Sequence, residues 1–248
     1  MVVVLPGREG EIDGSNKKND YRKVRRKNRI SPVEEKMKGV IYTCITGGYD
    51  KLMKPKRVEK FDYVCFTDQE MEPVSPWQIK IIKYEPRIDR KIKIKFHEYI
   101  HGYDYSIWVD GSIRVGAGVG RFVSGFLKSH GDIMLARHPQ RNCIYEEAVA
   151  CKDGMKDDLL IIDAMMDKYR AEGYPRGNGL YANGVLIRKH NNRVIELMNT
   201  WWDEFSSGSK RDQLSLPVAL WRNPVSIKPL TFVYTTDSIY FHWNKYHN

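Results

Sequence analysis

The chain has 248 residues and 29.0 kDa, with 42% hydrophobic and 29% charged residues, enough to bury one sizeable core with no disulfide or metal needed merely to fold. Its mean hydropathy is −0.55, no apolar run approaches the ~20 residues of a membrane helix, and the opening apolar stretch stops at Pro6, short of a signal-peptide core. The net charge is +10 with a pI near 9.3, a field that favours anionic partners such as phosphates, nucleic acid or acidic membrane.

That charge is uneven. Residues 1–38 hold eleven Lys/Arg against six Asp/Glu and few large apolar side chains, so the segment is expected to be a flexible basic arm. The texture changes at Gly39. Val40 to Ile45 form a continuous apolar and β-branched run, the pattern of a strand buried on both faces. Further strands are predicted at 63–67 and 77–83, then a helix over 89–101 with Ile92, Phe96, Tyr99 and Ile100 on one face. A strand at 105–110, a helix at 119–129 and a strand at 132–137 follow. The spacing of Met155, Leu159, Ile162, Met166 and Tyr169 predicts a helix over 155–172, stopped by Gly173 and Pro175. A strand at 180–189 and a helix at 191–207 complete the pattern, with another helix after Ser209. Strands alternating with helices imply an α/β fold with a mainly parallel sheet. Cys44, Cys65, Cys143 and Cys151 show no C-x-x-C spacing, which argues against a zinc ribbon or disulfide scaffold and points to a reducing, cytoplasmic compartment.

Ligands of open α/β sheets sit beyond the carboxyl ends of strands. Three such ends are suggestive. Thr46-Gly47-Gly48-Tyr49-Asp50 permits a tight turn and close ligand approach, without matching a dinucleotide or Walker loop. Trp108-Val109-Asp110-Gly111-Ser112 delivers a carboxylate at a strand tip, suited to a hard cation or, equally, to an Asp-Gly turn. Asn183-Gly184 interrupts a strand, which reads first as a bulge. Arg90, Lys93, His97 and His101 form a basic stripe on the 89–101 helix, fit for phosphate or for acidic neighbours. The stretch from Arg137 to Glu147 fits a substrate loop, or a helix start with Glu146 and Glu147 in its first turn. Ser209 with Asp212 matches an S-x-x-D capping box, which leaves Arg211 and Gln213 unexplained. Pro217 in that helix should kink it.

Together these stretches resemble a known family. The residues are Tyr42-Thr43 with Gly47-Gly48-Tyr49-Asp50, Asp62 to Asp68, Trp108 to Ser112, His138-Pro139 with Arg141, and Cys143 to Ala148. Val185 to Arg188 with His190-Asn191, Trp201-Trp202 and Arg211 to Ser215 complete the set. They resemble the glycosyltransferase-like family of plant mucilage-related and turgor-regulation proteins and bacterial relatives, long catalogued as a domain of unknown function. The resemblance covers about residues 39–222. The family is similar to GT-A glycosyltransferases, including the glycogenin-like group, which implies a single GT-A-like domain over 39–248. By that likeness Asp110 stands for the first Asp of Asp-x-Asp, Asn183-Gly184 for the second element and Asp212-Gln213 for the third. Lys93 stands where such enzymes place a donor-site lysine.

The resemblance implies a nucleotide-sugar-dependent glycosyltransferase with a divalent cation, Mn or Mg, at Asp110. A late histidine would be a further ligand, with His242 and His247 both open. Ser112 replaces the second Asp and is a weaker ligand, which leaves metal dependence reduced, water-mediated or absent. Asp110, Asp212 and Asn183 are the expected catalytic residues. Thr43, Gly47, Tyr49, Arg90, Lys93, Ser112, Gly184 and Gln213 are expected at the donor, and His138, Arg141, Glu146 and Glu147 on the acceptor side. The acceptor is left open between glycan, lipid and modified nucleic acid. Two other readings stand beside this one: a ceramidase-type hydrolase, after an activity linked to the plant branch, and a nucleic-acid-binding or -modifying protein, argued from charge.

Overall fold

The computed structural model describes residues 37–56, 61–230 and 240–243. In chain order these form β1 (Gly39–Ile45), β2 (Phe61–Thr67), β3 (Gln78–Ile81), α1 (Ile88–Ile94), a 3-10 turn at Phe96–Glu98, β4 (Tyr105–Val109), β5 (Ile113–Val115), α2 (Val119–Leu127) and β6 (Ile133–Arg137). There follow α3 (Ile144–Asp153), α4 (Leu159–Ala171), β7 (Tyr181–Lys189), α5 (Asn192–Ser206), α6 (Asp212–Arg222), β8 (Ile227–Leu230) and β9 (Phe241–Trp243).

Seven strands make one sheet in the order β3-β2-β1-β4-β7-β6-β8. β3, β2, β1 and β4 are mutually parallel, β7 is antiparallel to both neighbours, and β8 is parallel to β6. The expected α/β domain with a mainly parallel sheet is therefore present. The chain steps outward from β1 to β2 and β3, then returns to place β4 on the other side of β1. The direction of winding changes between those two strands, and in open sheets that is where the ligand crevice opens.

Why the strands are so apolar follows from their two covered faces. Val40, Tyr42, Cys44, Trp108 and Leu186 point to the side packed by Ile92, Leu197, Trp201 and Phe205. Ile41, Ile45, Ile107, Val109 and Ile187 point to the side packed by Val119, Val123 and Phe126. The two-residue period of a strand assigns neighbours to opposite layers. A third cluster joins α3 and α4 to Leu214 and Val218 of α6. Truncating Trp108 or Trp201, both fully buried, would cost about 3–5 kcal/mol.

Several helix boundaries differ from expectation. The 89–101 helix stops at Ile94, because Lys95 leaves helical geometry (φ −85°, ψ 43°). The basic stripe is thereby broken: Arg90 and Lys93 stay on α1, His97 falls in the 3-10 turn and His101 lies beyond it. The 155–172 helix begins only at Leu159. Met155 has a positive φ of 46° and is 86% exposed, and Asp158 caps α4 by accepting from the Leu160 amide at 2.8 Å. The stretch ending in Glu147 is a helix start, with Glu146 and Glu147 in the first turn of α3. Ser209 does not cap α6. Asp212 is the first helical residue, and the Ser209 hydroxyl instead donates to Asp157 at 2.6 Å. Pro217 lies inside α6.

All four cysteines are free and buried. No helix among the described residues is long and apolar enough to cross a membrane. The expected basic arm lies outside the described residues except for Met37 and Lys38. Lys38 donates its amide to Asp104 at 2.6 Å and pairs through Nζ with Asp62 at 3.2 Å.

Candidate active site

An open cavity of about 710 Å³ lies at the carboxyl ends of β1 and β4, at the change of winding. Cys44, Ile45, Thr46, Tyr49 and Asp50 line it from the β1 side, and Trp108, Asp110, Gly111, Ser112 and Ile113 from the β4 side. Tyr84, Arg87, Asp89 and Arg90 close one wall, and Lys156 and Arg211 reach it from other parts of the chain. The size is that of a site for a small organic ligand.

Local geometry explains both turns. Gly47 and Gly48 have φ of +62° and +64°, a region in which side chains are strained. The Gly47 amide donates to Asp68 at 2.9 Å. Asp110 to Ile113 is a turn, with the Ile113 amide on the Asp110 carbonyl at 2.9 Å. A Cβ at Gly111 would stand 2.7 Å from Asp50 Oδ2, so only glycine lets Asp50 pack there. Asp110 thus closes an Asp-Gly turn and also lines the cavity.

Behind this rim sits a buried ammonium. Lys93, 1% exposed at its side chain, donates to Asp212 Oδ2 at 2.7 Å and to Asp110 Oδ1 at 3.3 Å. Trp108 Nε1 also donates to Asp110 Oδ1, at 2.7 Å. Arg90 bonds Asp89 at 2.7 Å and reaches Asp212 at 3.5 Å. Burial pushes the Asp212 carboxyl up, but Lys93, Arg90 and Arg211 outweigh it and hold the group down at about 2. Burial likewise works against the Arg90 charge, and Asp212, Asp110 and Asp89 more than restore it.

Lys93 is itself clamped. Its carbonyl, left unpaired near the end of α1, accepts from Tyr42 Oη at 3.1 Å and Arg188 Nη1 at 2.8 Å. Arg188 is fully buried, bonds Tyr42 and lies over the Phe96 ring at 4.5 Å.

Asn183 meets the same region through a bulge. The β6–β7 pairing jumps from Leu135↔Leu186 to Ala136↔Ala182, so Asn183, Gly184 and Val185 stand out of register with β6. The Gly184 carbonyl accepts from the Asp110 amide at 2.8 Å, locking bulge to turn. The Asn183 amide is buried, and neither its oxygen nor its nitrogen has a partner among the described residues. An unpaired buried amide costs about 1–3 kcal/mol, which marks this one as a group awaiting a ligand or water.

The structure therefore joins Asp110, Lys93, Asp212 and Arg90 by direct contact, and lines the cavity with Ser112 and Tyr49. Gly47 sits in the adjoining turn. Gln213 donates to the Tyr181 carbonyl at 3.2 Å. Thr43 is buried in the sheet, away from the cavity lining. His138 and Arg141, in the loop before α3, and Glu147 on α3 form a separate cluster: Arg141 Nε lies 2.6 Å and His138 Nε2 3.8 Å from Glu147 Oε2. Neither these three nor the exposed Glu146 line the cavity. His242 lies on β9 opposite Arg114. His247 is outside the described residues.

Sequence reasoning missed Arg87, Asp89 and Lys156, and left Arg211 without a role. Arg87 secures one wall by donating to the carbonyls of Phe205, in the last turn of α5, at 2.9 Å and of Gly208, just beyond it, at 3.1 Å. Its left-handed backbone (φ 64°) has no sequence signal in an arginine. For Lys156 the only hint was the Gly-Met-Lys break between two helical patterns.

The model of the TOD1/MUCI70, glycosyltransferase-like domain matches residues 23–236. The chain belongs to this family. Among curated proteins none matches it. Membership of the TOD1/MUCI70 family supports a glycosyltransferase-type enzyme with a sugar donor as its partner.

The divalent cation implied by the likeness to GT-A enzymes fits these residues poorly. Asp110 Oδ1 already accepts from Lys93 and Trp108, and Asp212 faces Lys93 and Arg90. No group of three His, Cys, Asp or Glu among the described residues could hold a metal ion. A hydrolytic reading of this TOD1/MUCI70 domain also finds little purchase. Among the described residues no histidine lines the cavity to activate Ser112. Burial, with Asp89 adding to it, keeps the Cys44 thiol far above its usual range, so it offers no thiolate.

Proposed function

We propose that this TOD1/MUCI70 domain transfers a sugar from a nucleoside-diphosphate sugar to an acceptor, in a GT-A-like arrangement. The observation that carries the reading is the cavity at the β1/β4 change of winding. It pairs a carboxylate rim, Asp50 and Asp110, with a wall of guanidinium and ammonium groups.

The chemistry asks for that pairing. When the bond between the anomeric carbon and the diphosphate oxygen breaks, negative charge grows on the leaving diphosphate. Cations fixed in advance at that position stabilise it more than they stabilise the bound substrate. Arg211 and Lys156 are the groups proposed for this task, with Arg90 held beside them on Asp89 and Asp212. Asp110, 33% exposed, and the unpaired Asn183 amide are proposed to hold donor-sugar hydroxyls. Asp212, behind the lining, keeps the Lys93 ammonium in place. Of the residues expected on the acceptor side, Glu146 has the exposure to meet an acceptor directly.

Asp110→Asn tests the reading. If Asp110 only closed its turn, Asn would serve about as well. If its charge orients the donor, turnover of the matching nucleotide sugar falls by roughly a hundredfold. The melting temperature shifts by only a few degrees, because Asn still accepts from Trp108. Unaltered turnover in a folded variant would overturn the assignment.

A further inference from the structure

The poor fit for a cation has a counterpart in groups that could take its place. Arg211 and Lys156 both line the cavity, yet neither has a carboxylate within ion-pair distance among the described residues. Arg211 Nη2 meets the neutral Gln213 amide at 3.3 Å, the guanidinium also reaches the Cys151 thiol, and its Nε is buried without a hydrogen-bond partner among the described residues. A buried guanidinium N–H left unpaired is costly, and a bidentate phosphate acceptor is the ligand its fork fits best. Lys156 sits on the break between α3 and α4, where a long side chain can reach the cavity without joining either helix. By contrast, Arg90 is tied to Asp89 and Asp212, and Lys93 to Asp110 and Asp212.

The site therefore separates into two sets. Lys93 occupies the space between Asp110 and Asp212, with its charge spent on them. A second cation there would face an ammonium directly. Arg87 also lines the cavity, but its guanidinium is held by the Phe205 and Gly208 carbonyls, which leaves Arg211 and Lys156 with donors open to an incoming anion. We propose that this cavity binds the diphosphate of its nucleotide ligand on Arg211 and Lys156, and that it needs no divalent cation to do so.

The inference rests on the donor reading above, but its test stands apart from it. Wild-type protein is titrated calorimetrically with UDP, GDP, ADP and inorganic pyrophosphate, once in excess EDTA and once in MnCl₂. The expected result is binding of at least one probe in EDTA, with Mn changing its affinity by no more than about threefold. In the Lys156→Gln/Arg211→Gln variant that affinity falls by about thirtyfold or more in both buffers, two charge-assisted contacts being lost. Binding that appears only with Mn, no binding in either buffer, or an unweakened double variant would each overturn the proposal. The donor reading fails differently: the diphosphate binds in EDTA, but no nucleotide sugar loses its sugar to water or acceptor in either buffer.

Discussion

Two buried ion clusters in this molecule use the same side-chain chemistry in opposite senses. In the first, the buried member is a cation, Lys93, and its carboxylate Asp110 faces the cavity. In the second, the buried member is an anion, Glu147, 1% exposed, while Arg141 at 25% covers it from solvent. His138 and the Cys151 thiol complete that second cluster, the thiol 3.5 Å from Glu147 Oε1. A buried cation with one of its anions, Asp110, turned to the cavity leaves an acceptor there for a ligand's hydroxyls. A buried anion sealed by its own cations leaves nothing to offer. On the proposed reading the first arrangement serves recognition, while the second ties α3 to the loop before it.

The largest expected effect comes from breaking the first cluster at its centre. Lys93→Met leaves Asp212 buried, with Arg90 the remaining cation within ion-pair distance among the described residues. Removing one partner of a buried pair costs about 3–5 kcal/mol, so the melting temperature should fall by roughly 10 °C or more. Nucleotide-sugar turnover should fall with it, since Asp110 loses its fixed orientation. A variant that melts like wild type would show that Lys93 is not the linchpin drawn here.

Arg141→Met is the matching break in the second cluster. It strands the Glu147 carboxylate beside His138, whose imidazole burial pushes below its ordinary range despite Glu147. The neutral ring compensates poorly. A loss of about 3 kcal/mol is expected, with UDP affinity of the folded protein kept within about threefold, because Arg141 does not line the cavity. If donor affinity collapsed while stability held, the two clusters would have been assigned the wrong way round.

The contrast between the clusters was only partly legible in the sequence. The central strands were, because burial on both faces writes continuous apolar runs such as Val40 to Ile45, whereas the short β5, β8 and β9 were not expected. The end of α1 was not. Phe96 and Ile100 kept a helical spacing and are buried, although the backbone turns out of the helix at Lys95. Met155 matched the α4 stripe by spacing alone and proved to be in the exposed break before it. The Asn183-Gly184 bulge was visible as an interruption, but its docking on Asp110 was not. Lys93 and Asp212 lie 119 positions apart, so no local pattern could pair them. Only the family resemblance brought Asp110, Asn183 and Asp212 into one site, and it said nothing of Arg87 or Lys156. Those two are set by a backbone twist and a helix break that residue type does not encode.

The smallest effect sharpens the comparison through pH. The Asp212 carboxyl is held at about 2 in the folded protein, against an ordinary 3.8. A group whose folded value is depressed contributes stability that is present in full above its unfolded value. It is lost as the pH falls toward the folded one. The window is therefore about pH 4 down to 2, and the contribution is about 2 kcal/mol. His190 acts in a different window. Burial, with Arg188 adding to it, lowers its imidazole from 6.5 to about 4. The unfolded chain thus takes up a proton first, and stability falls between about pH 6.5 and 4. Denaturant titrations of wild type and Asp212→Asn separate the two. Both proteins should lose stability alike from pH 6.5 to 4, since each retains His190. Below pH 4 the wild type should lose about 2 kcal/mol more than the variant, which has no carboxyl left to protonate. Parallel curves down to pH 2 would mean that Lys93 and Arg90 do not hold the Asp212 charge in solution, and the buried-cation half of the comparison would fall.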